Sequence, residues 1–197
     1  MDADDLRRQI PDYLTDSKKD KLAQELLAFN SSSSPLYTTQ FKNELLQGDV
    51  WSGLEILDFE TGARRWIRGI VLSNSCDVSN ENARHLPANL IIAPILKMTR
   101  LVNRLTEAGI STDRIESKVK AIKSQKITNM FYLPASSYLS EAHVALLDQT
   151  FSVPYPAFQE RAEKKKEFSL NLLGFYLFIF KLSVHFCRLQ ENVDRPL

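Results

Sequence analysis

Between Val50 and Val153 the apolar residues fall mostly in short blocks, except over 97–126, where, as near the N-terminus, they recur at three- and four-residue intervals. The pattern predicts a strand-rich middle flanked by helices. The segment Leu54-Glu55-Ile56-Leu57-Asp58-Phe59 alternates as a strand, and Thr61-Gly62 marks a hairpin turn. A basic run, Arg64-Arg65-Trp66-Ile67-Arg68-Gly69, then leads into Ile70-Val71-Leu72. After a polar loop comes a second apolar strand, Asn89 to Ile95. Further strands are expected at Ile127–Leu133, closed by Pro134, and from His143 to Gln149 and on to Val153. Strands and turns at this short spacing predict a small twisted barrel rather than a doubly wound sheet.

The helical signals lie around that barrel. Leu6, Ile10 and Leu14 are spaced by four, and Ser17–Phe29 carries Leu22, Leu26 and Phe29 on one face behind a Thr15 or Asp16 cap. The run Asn30-Ser31-Ser32-Ser33-Ser34-Pro35 reads as a linker. Lys97 to Lys126 reads as helix, interrupted at Gly109, and Leu170 to Cys187 is nearly continuous in apolar residues. The expected organisation is therefore mixed α+β. It comprises a helical arm with a Ser-rich linker (1–34), an SH3-like antiparallel β-barrel (35–158) holding a helical insertion (97–126), and a long apolar C-terminal helix (159–197) packing on the barrel or a partner.

Composition narrows the function classes. A formal charge of +1 over 197 residues gives no global field, so any nucleic-acid contact has to come from a local basic patch. The two cysteines, Cys76 and Cys187, make no disulfide framework, and reduced thiols in the cytoplasm are the expected state. The acidic start Met1-Asp2-Ala3-Asp4-Asp5 lacks the plan of a signal peptide. The apolar stretch 170–187, interrupted by Lys181 and His185, falls short of a membrane span, so burial against the domain or assembly into a homo-oligomer is expected of it.

Two basic clusters offer chemistry. Arg64, Arg65 and Arg68 present planar forked donors suited to phosphate oxygens, or else pair with Glu55, Asp58 and Glu60 across the hairpin. The segment 97–126, with Lys97 and Arg100 at its start, sets eight basic residues against three acidic ones. It reads either as a solvated outer face or as a footprint for a phosphate backbone. The loop Ser73-Asn74-Ser75-Cys76-Asp77 could present Cys76 as a nucleophile with Asp77 and His85 nearby, although Ser, Asn and Asp also favour turns for local reasons. These residues fall short of a zinc ligand set, and no Gly-rich phosphate loop, HExxH pair or GxSxG elbow occurs. No cofactor and no metal are expected. His143 and His185 have no motif context.

Taken in order, Gly48-Asp49-Val50, Arg68-Gly69-Ile70-Val71-Leu72-Ser73-Asn74, Leu90-Ile91-Ile92-Ala93-Pro94-Ile95 and Leu146-Leu147-Asp148-Gln149 resemble successive strands of the MazF/PemK (CcdB/PemK-like) toxin family. The resemblance covers about half of the chain. It implies an SH3-like barrel, cleavage of single-stranded RNA and a cognate antitoxin as partner. In that family an arginine followed by proline, and a hydroxyl residue after the Ala-Pro strand, serve phosphoryl transfer. Arg68 is the counterpart of the arginine, with Gly69 in place of the proline. The hydroxyl position after Pro94-Ile95 is empty as far as Thr99, leaving Ser73, Cys76 or Thr99 to replace it. Two functions follow: a toxin-type endoribonuclease with degenerate chemistry, or a non-catalytic barrel module that binds a protein or peptide and assembles through its C-terminal helix.

Overall fold

The computed structural model of the chain describes residues 16–27, 36–58, 61–78 and 88–187. In chain order it runs α1 (Asp16–Leu27), β1 (Tyr37–Thr38), β2 (Val50–Leu57), β3 (Arg64–Val71), α2 (Ser75–Val78), β4 (Asn89–Lys97), α3 (Met98–Glu107) and α4 (Thr112–Lys123). There follow β5 (Met130–Leu133), β6 (His143–Leu146), β7 (Phe151–Pro154), α5 (Tyr155–Glu160), β8 (Lys165–Leu170) and α6 (Leu172–Phe186). The strands form one antiparallel sheet in the order β1-β8-β2-β3-β4-β6-β5, with β7 also beside β4.

The expected hairpin is present: Leu57 lies opposite Arg64, and the turn closes with the Gly62 N–H donating to the Asp58 carbonyl at 2.7 Å. Strands β6 and β7 are two halves of one kinked strand along β4. Ala145 pairs with Ile95 and Phe151 with Ile92, so six residue steps on one side face three on the other. Pro94 lies at that interruption, where a residue without an N–H is tolerated.

The sheet curls until its two ends approach, and the Tyr37 hydroxyl donates to the Pro134 carbonyl at 2.8 Å. No ladder joins β1 to β5, so the result is a curled half-barrel rather than a closed one. Inside the curl Val50, Ile70, Ala93, Phe131 and Phe168 pack with Tyr176 and Phe178 of α6. On the outer face Leu54, Val71, Leu90 and Ile92 pack with Phe158 of α5. A third cluster seats Met98 and Leu101 of α3 and Ile122 of α4 on Tyr132, Val144 and Leu146.

Several expectations need correction. The segment 97–126 is not one helix: Lys97 ends β4, and α3 and α4 are separated by a turn at Ala108-Gly109. A long C-terminal helix over 159–197 is not found. Its first part holds the end of α5 and strand β8, and α6 spans 15 residues. Strand β8 escapes a hydrophobicity reading because Lys165, Lys166 and Glu167 mask the alternation that places Phe168 and Leu170 in the core. It nevertheless lies between β1 and β2. There the Lys166 ammonium pairs with the fully buried Asp49 carboxylate at 2.7 Å and donates to the carbonyls of Phe41 and Glu44. The proposed arm 2–14 and the serine run 31–34 lie outside the described residues.

Gly53 lets β2 approach the turn that leads into β8. It sits in a β-bulge at φ +69°, and a Cβ there would lie 2.1 Å from the Glu163 carbonyl oxygen. Helix α6 starts at Asn171, whose side chain accepts from the Gly174 N–H at 2.9 Å. The buried Lys181 donates to the Gln125 carbonyl, and burial pulls its ammonium down to about 8.

Candidate functional site

Strands β3 and β4 pair only at Gly69↔Pro94, Ile70↔Ala93 and Val71↔Ile92. Beyond Gly69 they part: β3 stays with β2 as far as Arg64, while Ile95, Leu96 and Lys97 of β4 pair with β6 instead. The fork between them is a groove of about 590 Å³. One wall is Arg64 to Arg68 of β3. The other is Lys97 at the end of β4 followed by Arg100 and Arg104 of α3. Residues 97, 100 and 104 share a face because the intervals match the helical repeat, while Met98, Leu101 and Leu105 turn the opposite face into the core. Among the described residues, six cations converge on one groove, and its lining contains neither a carboxylate nor a hydroxyl side chain.

Arg68 is the most constrained of the six. Its Nε donates to Glu167 Oε1 at 2.9 Å, a terminal nitrogen donates to Glu167 Oε2, and the other lies 3.1 Å from His143 Nε2. His143 Nδ1 lies 2.9 Å from the Glu141 carbonyl oxygen, which can only accept. The imidazole therefore carries its proton on Nδ1 and receives the Arg68 N–H on Nε2. Burial, with the adjacent Arg68 charge, holds His143 below the ordinary imidazole range, in keeping with a neutral ring. Arg68, His143 and Glu167 come from β3, β6 and β8, which are not neighbours in the sheet, so only the curl brings them together. Three of the five guanidinium N–H groups are engaged and the side chain is 35% exposed, so two remain for a ligand.

Partners limit the other cations to different degrees. Arg64 pairs with Glu55 at 3.3 Å and Arg65 with Asp58, which is the pairing across the hairpin expected as the plainer alternative. Both arginines are more than half exposed, and such pairs exchange readily for another anion. Lys97 pairs with Glu141 at 2.6 Å. Hydrogen bonds from Lys97 and then Thr99 hold the Glu141 carboxyl below its usual range. Arg100 and Arg104 have no ion-pair partner among the described residues.

The structure brings Arg64, Arg65, Arg68, Lys97 and Arg100 into one groove and leaves the other predicted residues outside it. Thr99 stands just beyond the rim with its hydroxyl donating to Glu141 Oε2 at 2.7 Å. Ser73 accepts from the Ile91 N–H at 2.7 Å, a strand-edge contact. The Cys76 N–H donates to Asn74 Oδ1 at 2.9 Å and the Asp77 N–H to the Asn74 carbonyl at 3.0 Å, so this polar loop builds the turn into α2. Cys76 is exposed and lines a different cleft with Trp51, Tyr155 and Phe158, which shares no residue with the fork. Arg68 and Ser73 are five positions apart along a nearly extended chain, roughly 15 Å. Ser73 therefore stands away from Arg68 along β3, while the Thr99 hydroxyl is engaged by Glu141 beside Lys97. His85 lies outside the described residues.

Sequence reasoning missed Trp66 and His143 as groove residues, and took Arg104 only as one of the eight basic residues of 97–126. Trp66 is 57% exposed in the middle of the arginine wall, and its place between Arg65 and Arg68 was the available signal. Arg104 was legible from its spacing to Arg100. Nothing in the sequence pointed from His143 to Arg68, 75 positions away. Among the described residues no group of His, Cys, Asp and Glu could hold a metal ion, and no helix is long and apolar enough to cross a membrane. No protein-family model matches the chain, and no curated protein matches it.

Proposed function

We propose that the fork between β3 and β4 binds single-stranded RNA through its phosphates, and that it does so without cutting the strand. One observation carries this reading: six cations from two separate walls line a single groove that holds no carboxylate. Phosphate oxygens match the forked donors left free on Arg68 and the unpaired heads of Arg100 and Arg104. The resemblance of the strand order to MazF/PemK toxins supports RNA as the polyanion. Cleavage would need a group to take the 2′-hydroxyl proton and one to return a proton to the leaving oxygen. The groove lining offers no carboxylate or hydroxyl, and both nitrogens of His143 are engaged. Arg68 could stabilise charge, but its two titratable partners, Glu167 and His143, are both held by its own N–H groups.

The test is anisotropy of a labelled uridine homopolymer titrated with protein across a salt series. Release of counterions from three or more phosphates gives a slope of about −2 or steeper in log K against log salt. The double variant Arg100→Glu/Arg104→Glu is expected to abolish binding, because both side chains are exposed and their change leaves the core intact. Absence of binding at low salt would overturn the proposal. Discrete cut ends on the recovered strand would overturn the claim that it stays whole.

A further inference from the structure

The fork exposes more than charge. The Val71 N–H donates to the Asp49 carbonyl on the β2 side, and the Leu72 N–H donates to the Ile91 carbonyl on the β4 side. Backbone groups alternate sides along a strand, so those of Ile70, Arg68 and Trp66 also aim away from β2. Ile70 finds β4, but among the described residues β3 from Arg68 to Arg64 is paired on its β2 side alone. The edge at Trp66 and Arg68 therefore offers N–H donors and carbonyl acceptors at strand spacing inside the groove. Side-chain alternation adds a second element. Ile70 faces the main core, and the period of two puts Arg68, Trp66 and Arg64 on the same side. Exposed Trp66 thus stands between two arginines at the open end of the curl, beside the free edge.

Resting on the RNA reading above, we infer that this open edge of β3 is a base-binding surface, with one base stacked on Trp66 and hydrogen-bonded to the backbone of Trp66 and Arg68. The ligand class is then a strand with unpaired bases, not merely a polyphosphate. A flat π face with cations on either side accepts any base, whereas a backbone donor and acceptor recognise the edge that a duplex would hide. The facing wall of Lys97, Arg100 and Arg104 takes the phosphates.

Three probes separate this inference from the reading it rests on: a uridine 12-mer, a 12-mer of abasic ribose phosphates, and the uridine strand annealed to its complement. The expected result is that the abasic strand and the duplex bind at least about tenfold more weakly than the uridine strand, the effect of one lost stack. Trp66→Ala should weaken the uridine strand by the same factor and leave the abasic strand unchanged, while Trp66→Phe restores binding. Equal binding of uridine and abasic strands would overturn the base surface and leave the phosphate groove standing. Failure of all three strands to bind would overturn both. Preferential binding of polyglutamate would also overturn both and make the free edge a site for an added peptide strand.

Discussion

Replacing Lys166 with Met would test what holds the sheet's central β2–β8 junction. The variant keeps the side-chain volume but removes an ammonium that pairs with Asp49 and donates to two loop carbonyls. Asp49 is 0% exposed and would retain the Leu46 N–H at 2.7 Å. In the intact protein burial already raises its pKa, outweighing Lys166 and the Leu46 N–H. Without the lysine the carboxyl is expected to stay protonated in the folded state while ionising in the unfolded chain. The folded state then binds more protons, so stability falls as pH rises above the unfolded carboxyl value near 3.9. At about 1.4 kcal/mol per pH unit this reaches about 4 kcal/mol at pH 7 and about 1.5 kcal/mol at pH 5. That agrees with the 3–5 kcal/mol typical of breaking a buried pair from one side. The intact protein shares part of this dependence at its acidic end, because its own Asp49 is raised. Urea unfolding of the two proteins at pH 5, 6 and 7 reads the difference directly. The double variant Lys166→Met/Asp49→Asn should recover most of the loss at pH 7 and show no such slope. A penalty equal at pH 5 and 7, or a double variant weaker than the single one, would refute the reasoning.

Two further variants probe the groove and the bulge. His143 titrates below its ordinary value in the folded state, so the unfolded chain takes up its proton first and stability is lost as pH falls through about 6.5. His143→Gln can still accept from Arg68 and cannot titrate. Its urea midpoint should change less between pH 7.5 and 5.5 than that of the parent, and parallel changes would count against the assignment. Gly53→Ala combines a left-handed backbone with a Cβ placed 2.1 Å from the Glu163 carbonyl oxygen, whereas Gly62→Ala, at φ +68°, meets nothing within 4 Å. The first should destabilise by well over the roughly 1–2 kcal/mol of the backbone effect alone and the second by no more than that. Similar thermal shifts for both would remove the close approach of β2 to the turn before β8 as the reason for Gly53.

How much of this was legible in the sequence follows from the range over which each signal acts. The β2–β3 hairpin, strand β4 and the amphipathic character of α3 were readable, because alternation, a Thr-Gly turn and helical spacing are local properties of a few residues. The arginine run and the Lys97–Arg100 pair were likewise visible as candidate phosphate contacts. Strand β8 was not, since its lysines and glutamate hide a core-facing Phe168 and Leu170 behind charges whose partners lie elsewhere in the chain. The loop 73–77 looked reactive because small polar residues were concentrated there, but its described hydrogen bonds go to building the turn into α2, holding the strand edge and anchoring the backbone at Gln47.

The sequence by itself determined the β2–β3 hairpin, strand β4, the helical face of α3 and where the basic residues cluster. Only the tertiary structure decided that β4 leaves β3 after Pro94 to follow β6, and so opened a fork between two basic walls. It also decided that Arg68 meets His143 and Glu167, from strands that are not its neighbours. Local propensity acts over a few residues, whereas strand partners and side-chain contacts 75 to 99 positions apart are chosen by the curl of the whole sheet around one apolar core.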